Sequence, residues 1–143
     1  MKIRKATKKD LKEIAEIFRI ETAKKPYFQD WTKKTAFDKI SNSLKEEEMY
    51  VIMVDNKLVG FVTLKPDNKN KEVYVDELWL KLDYQGKGLG KALINFIEKE
   101  ARKEGMKKII LMANQKAGAV KFYEKLNYKE KHRFVYFVKE LKK

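Results

Sequence analysis

At Met49 the hydrophobic pattern of this chain changes period, and that change dictates a mixed helix and sheet architecture. Before it, apolar residues recur at helical spacing. From residue 49 to 82 they gather in three β-prone runs, and beyond that the helical spacing returns. Residues 1–6 alternate weakly around Ile3 and read as a short strand. Thr7 stands three residues before Asp10 as in a capping box, ahead of Leu11, Ile14, Ala15, Ile17 and Phe18 on one helical face. Pro26 ends that helix, because proline disfavours the α conformation in the residue before it. Thr32 caps a second helix with the stripe Ala36, Phe37, Ile40 and Leu44, and Lys45-Glu46-Glu47-Glu48 reads as its solvated end.

Residues 49–54 and 58–64 form a hairpin around Asp55-Asn56-Lys57, and residues 72–82 form a third β run. A glycine-dense loop, residues 85–90, feeds a helix over 91–104 that Gly105 stops. A strand over 108–112, a helix over 117–126 and one or two terminal strands within 128–141 complete the order β-α-α-β-β-β-α-β-α-β. Neither a repeat nor a linker divides the chain, so the expectation is a single domain over 1–143. At this length roughly two-thirds of the unfolded surface is buried on folding, enough for a core without staples. The absence of cysteine excludes disulfides, thiolate zinc sites and cysteine nucleophiles, and the lone His132 leaves little for a metal site; none is expected. No apolar run has the length of a membrane span and the start lacks a signal-peptide core, so the expected setting is the cytoplasm, as a monomer or homodimer. The net charge of +13 invites an anionic partner, but its lysines are scattered and often paired with glutamate, as on a solvated surface.

The heptad Gln85-Gly86-Lys87-Gly88-Leu89-Gly90-Lys91 carries the most chemistry. Its glycines leave the backbone bare, and the following helix points unpaired N–H groups and a positive dipole end into the loop, which makes an anion cradle. A Walker A loop needs a longer glycine spacing and Ser or Thr after the lysine, where Ala92 stands. A dinucleotide fingerprint needs a later third glycine and a place after the first strand of a βαβ unit. Both are disfavoured.

Gln85, Gly88 and Gly90 instead spell Gln-x-x-Gly-x-Gly, and at this point the chain resembles the GCN5-related N-acetyltransferase (GNAT) superfamily. The preceding run Glu77-Leu78-Trp79-Leu80-Lys81-Leu82 is similar to that family's fourth strand. Ala119-Val120-Lys121-Phe122-Tyr123-Glu124-Lys125-Leu126-Asn127-Tyr128 resembles its later helix and turn. The resemblance spans essentially the whole chain. It implies an α/β (α+β) fold with a mixed central sheet of about six or seven strands and about four flanking helices. It further implies acetyl-coenzyme A as a small-molecule acyl donor, and direct transfer of the acetyl group to a primary amine in a ternary complex. The acceptor stays open among a protein N-terminus, a lysine side chain and a small amine.

Residue by residue, the resemblance assigns the donor's pyrophosphate to the main chain of Gln85, Gly86, Lys87, Gly88, Leu89, Gly90 and Lys91. Pantetheine is assigned to the main chain of Leu80 and Leu82, and the thioester oxygen to the N–H of Leu78. Tyr123 matches the tyrosine that protonates the leaving thiolate. Where many members carry a cofactor-contacting Asn this chain has Lys116, with Asn114 two residues earlier, so either is a candidate. Asn127 replaces the usual Gly and tolerates the left-handed backbone of the turn. For the base that deprotonates the amine, Asp76 and Glu77 stand out as charges in an apolar strand. Strand alternation turns them to opposite faces, and Asp76, with the parity of Tyr74, is preferred. The resemblance draws the acceptor site from the first two helices and their loop, hence Tyr27, Phe28, Trp31 and Glu21, with the terminal strand near residues 132–136. Two rivals are an acyl-coenzyme A-binding module without turnover and a basic nucleic-acid-binding protein, the latter resting on charge alone.

Overall fold

The computed structural model describes residues 1–142, which form two compact units, Met1–Met112 and the residues from Ala113 onward. In the first unit a single sheet carries the strands in the order β1 (Lys2–Lys5), β2 (Glu48–Val54), β3 (Lys57–Asp67), β4 (Glu72–Leu80) and β5 (Lys108–Leu111). The first four are mutually antiparallel, and β5 runs parallel to β4. Its helices are α1 (Leu11–Thr22), α2 (Lys33–Glu46) and α3 (Leu89–Lys103). Adjacent strand residues face opposite ways, and Tyr50 and Val51 mark the two faces. Val51 joins Ile14, Phe18, Ala36, Ile40 and Phe61 in the core under α1 and α2, whereas Tyr50 meets Phe96 of α3 edge-on at 5.0 Å. The sheet is therefore covered on both sides. This is why the middle of β3, residues 58–64, is buried without interruption.

Local chemistry sets the ends of these elements. Thr32 and Thr35 form a reciprocal cap on α2, each side-chain oxygen accepting the other's N–H at 2.9 and 3.0 Å. Asp10 accepts the Thr7 N–H at 2.8 Å and a two-pronged bond from Arg4 at 2.8 and 3.0 Å, which ties β1 to the start of α1. The β2–β3 hairpin turns on Asp55 and Asn56, with φ of 51° and 62°, the left-handed pair of a type I′ turn. Phe37 leaves the stripe expected of α2 and is 41% exposed, because Ala36, Ile40 and Ser43 already fill the buried face.

Two irregularities interrupt the ladder. Ile52 pairs with Gly60 and Met53 with Leu58, so Val59 is an extra residue on β3. On β4, Thr63 pairs with Glu77 and Leu64 with Val75, so Asp76 is the extra residue of a bulge. At Gly60 the strands crowd: a Cβ there would lie 2.8 Å from the Trp79 carbonyl oxygen and collide with the Leu80 side chain.

The second unit contains α4 (Ala119–Lys125) and a turn in which Asn127 takes φ of 69° and the Tyr128 N–H bonds the Tyr123 carbonyl at 3.0 Å. The four helices match the expectation, but the sheet has five strands rather than six or seven. No strand forms in residues 129–142 among those described. Phe134, Val135, Tyr136, Phe137 and Val138 are exposed there. The run is apolar throughout, with no alternation to choose a buried face, and β-prone composition does not make a strand without a partner edge.

Candidate active site

β4 is paired unequally on its two edges. Along β3 it is matched from Glu72 to Leu80, but β5 accompanies it only to Val75, opposite Leu111. From Asp76 onward its second edge carries no strand among the described residues, and Leu78 and Leu80 are half-buried along it. The strand stops at Leu80, two residues short of the expected end. Leu82 falls in a single 3-10 turn, Leu82–Tyr84, where its carbonyl accepts the Gln85 N–H at 3.1 Å.

The glycine loop follows directly. Gly86 and Gly88 have φ of 73° and 82°, left-handed values that side chains resist, and a Cβ at either would meet nothing within 4 Å. The bare backbone therefore faces open space. α3 begins at Leu89, earlier than expected, and its first backbone bond of this turn runs from the Ala92 N–H to the Gly88 carbonyl at 3.1 Å. The N–H groups of Leu89, Gly90 and Lys91 precede that bond and project into the cradle. Lys87 lies over the Tyr84 ring at 5.7 Å, and Lys91 is exposed. The Gln85 side chain is occupied: its amide donates to the Leu80 carbonyl at 2.8 Å and to buried Glu21 at 3.0 Å, while Lys24 holds the other Glu21 oxygen at 2.7 Å. Glu21, expected in the acceptor site, is thus a clamp between α1 and the end of β4. A concavity of about 470 Å³ beside it, lined by Glu13, Ile17, Glu21 and Lys81 among others, includes neither Asp76 nor Glu77.

The bulge corrects the alternation argument. Lys39 Nζ of α2 lies 3.7 Å from both Asp76 and Glu77, so the two carboxylates reach the same cation. An extra residue shifts the phase of the strand, which alternation alone does not foresee. The Glu77 N–H, displaced from the ladder, donates to Thr63 Oγ1 at 3.0 Å, and Thr63 is fully buried. Glu77 Oε1 accepts the Trp79 indole N–H at 2.7 Å. Burial pushes the Glu77 carboxyl above the usual carboxylate range, opposed by the Trp79 bond and Lys39. Lys65 approaches Asp76 at 3.8 Å. Glu47, read as part of a solvated helix end, is half-buried, whereas Glu46 and Glu48 are exposed. Lys39, Glu47, Thr63 and Trp79 were not foreseen. Thr63 offered the one usable signal, as the only polar residue in the apolar run 58–64.

The three aromatics of the α1–α2 loop diverge. Trp31 packs on Phe18 with centroids 5.0 Å apart and bonds Gln29 at 2.8 Å, a place in the core wall. Tyr27 meets Trp79 edge-on at 4.9 Å, next to Glu77, and burial raises its phenol above the ordinary value. Phe28 is 70% exposed at φ of 50°. In the second unit, Asn114 accepts the Lys116 N–H at 2.9 Å, and Tyr123 packs edge-on between Phe122 and Tyr128 at 5.1 and 5.8 Å. Among the described residues no cluster has the make-up to hold a metal ion, and no helix is long and apolar enough to cross a membrane.

β4 thus runs half-open toward the glycine loop, with the Asp76 and Glu77 carboxylates at its bulge. The chain belongs to the acetyltransferase (GNAT) family, whose pattern matches residues 11–128. An uncharacterized N-acetyltransferase of Methanocaldococcus jannaschii is 28% identical over 137 residues; the alignment covers 90% of this chain and 61% of that protein. The fold is shared with a possible acetyltransferase from Clostridium difficile 630, at a TM-score of 0.81 and 19% identity over 99% and 98% of the two chains. A ribosomal-protein-alanine N-acetyltransferase from Brucella melitensis biovar Abortus 2308 gives 0.74 and 22% over 98% of each. The aminoglycoside N-acetyltransferase AAC(6')-Iy, solved in complex with CoA, gives 0.75 and 15% over 98% and 95%.

Proposed function

We propose that this chain is an acetyl-coenzyme A-dependent N-acetyltransferase acting on a primary amine by direct transfer in a ternary complex. The observation that carries the reading is the one-sided pairing of β4 beyond Val75, followed after the single Leu82–Tyr84 turn by the Gly86 and Gly88 loop. The free edge suits the two amides of pantetheine, and the loop N–H groups with Lys87 and Lys91 suit the pyrophosphate. The structure of the aminoglycoside acetyltransferase with CoA supports the same donor. The family pattern spans 11–128, across both compact units, which supports a single acetyltransferase domain.

The donor supplies an activated acetyl thioester, and the chain supplies position and proton handling. Main-chain groups of Leu78 and Leu80 orient the pantetheine arm, with the Leu78 N–H assigned to the thioester oxygen. Glu77 takes the proton from the acceptor ammonium. Its buried carboxyl, raised toward the working pH, suits a base better than an exposed carboxylate would. Tyr123 is assigned the proton for the departing thiolate by its place in the family motif. Tyr27 and Phe28 form the aromatic side of the acceptor region, where a cationic amine gains from ring faces.

The test is free-thiol release from acetyl-coenzyme A across a panel of peptides, polyamines and aminoglycosides. Wild type releases thiol with at least one amine. Glu77→Gln binds acetyl-coenzyme A with unchanged affinity and loses about 10²–10⁴ in kcat/KM. Binding with no turnover on any amine overturns catalysis in favour of an acyl-coenzyme A-binding module.

A further inference from the structure

The free edge of β4 is closed at its end by a side chain. The Lys81 N–H donates to the Val59 carbonyl of β3 at 2.8 Å, and the main-chain groups of an antiparallel strand alternate sides. The N–H and carbonyl of Leu80 therefore turn to the edge that β5 does not reach. Gln85 Nε2 donates to that carbonyl at 2.8 Å and gives a second bond to Glu21 Oε1 at 3.0 Å. Glu21 is a fixed anchor: only 7% of it is exposed, and its other oxygen accepts from Lys24 at 2.7 Å. Gln85 immediately precedes Gly86, whose left-handed backbone has open space where a Cβ would stand. A glycine loop with no anchor loses much freedom when a ligand orders it, and that loss weakens binding. The side chain of Gln85 thus holds the chain where the strand edge gives way to the cradle.

We propose that Glu21 is a positioning residue for the acyl donor: through Gln85 it pins the exit of β4, so that the glycine loop is ordered before acetyl-coenzyme A arrives. The proposal rests on the reading of this edge and loop as the donor site. Both bonds of Gln85 are donations from its one amide nitrogen, which carries two hydrogens, so neither is left for a phosphate oxygen. The anion then falls to the main-chain N–H groups of the loop, with Lys87 and Lys91, and Gln85 acts on it only through the path of the backbone. A carboxylate near a phosphate site is otherwise an unfavourable neighbour, and the Lys24 ammonium offsets its charge.

The experiment titrates the full chain with acetyl-coenzyme A by calorimetry in wild type, Glu21→Leu, Gln85→Met and the double variant, with kinetics in parallel on any amine that wild type acetylates. Leu and Met keep much of the bulk they replace and remove the bond. Each single variant should bind about tenfold more weakly, and the double variant no more weakly than either, because all three break one pin. The loss should fall on the KM for acetyl-coenzyme A, with kcat within about twofold of wild type, whereas general damage to the fold lowers the active fraction and with it kcat. Unchanged or tighter binding by Glu21→Leu beside weaker binding by Gln85→Met means that Gln85 touches the donor itself, and overturns the proposal. A double variant in which the two losses multiply overturns it as well. Should Glu21→Leu fail to fold, NMR of the wild-type complex decides: Overhauser contacts between the Gln85 side-chain amide and Glu21 that persist with acetyl-coenzyme A bound support the pin, and their loss overturns it. Wild type that binds no acetyl-coenzyme A overturns the donor reading at the first titration, whereas wild-type binding with unmoved variants overturns the pin alone. Binding that follows the expected pattern without turnover on any amine keeps the pin and overturns catalysis.

Discussion

Glu77 is held from three directions: its N–H by Thr63, one carboxylate oxygen by the Trp79 indole, and the other side by Lys39. Of these, the indole bond is the one that most directly favours the ionised form. Trp79→Phe keeps the ring against Tyr27 but removes the donor. The acidic limb of kcat/KM should then move up by about half to one pH unit, as read from a pH profile. At this scale the sequence was legible where a residue type breaks the local pattern. Asp76 and Glu77 were visible as charges in an apolar strand. Glu47 was not, because three consecutive glutamates at a helix end look alike until the fold turns one of them inward.

At the scale of elements, two glycines are needed for different reasons. Gly60 is needed for space, since a Cβ there meets the Trp79 carbonyl and Leu80 across the strand pair. Gly88 is needed for its left-handed backbone, with open space around it. Gly60→Ala should therefore lower stability by about 1–3 kcal/mol by urea denaturation, because backbone must move. Gly88→Ala should cost about 1–2 kcal/mol and raise the KM for acetyl-coenzyme A, because the strain falls on the cradle itself. The hairpin at Asp55 and Asn56 was readable because both of its determinants are adjacent in sequence. The bulge at Asp76 was not, because register is a property of β3 and β4 together. The apolar run 134–138 misled for the same reason: composition names a candidate strand, and only a neighbouring edge makes one.

For the molecule as a whole, two sets of carboxyl groups pull stability in opposite directions with pH. Asp10, bonded first by Arg4, is held below the ordinary carboxylate range, so its contribution is present above its unfolded value and is lost as pH falls through the folded one. Glu47 and Glu77, raised chiefly by burial, bind protons more tightly folded than unfolded. Their contribution is complete below the unfolded value and declines as pH rises through the folded ones. Stability should peak in a mildly acidic window, about pH 4–6, with the net charge of +13 opposing any further acidification. Urea denaturation from pH 3 to 9 checks this, and Glu77→Gln should flatten the alkaline decline.

The Thr63 hydroxyl that accepts the Glu77 N–H has a further consequence. In a regular ladder an interior amide opens only when its strand partner leaves. Here the amide hangs on a side-chain rotor, so it can be released by a turn of one bond while the β3–β4 pairing stays intact. Hydrogen exchange at this one position should therefore run ahead of its neighbours at Val75 and Trp79, which lie in the paired ladder, and report local opening of the bulge separately from global unfolding.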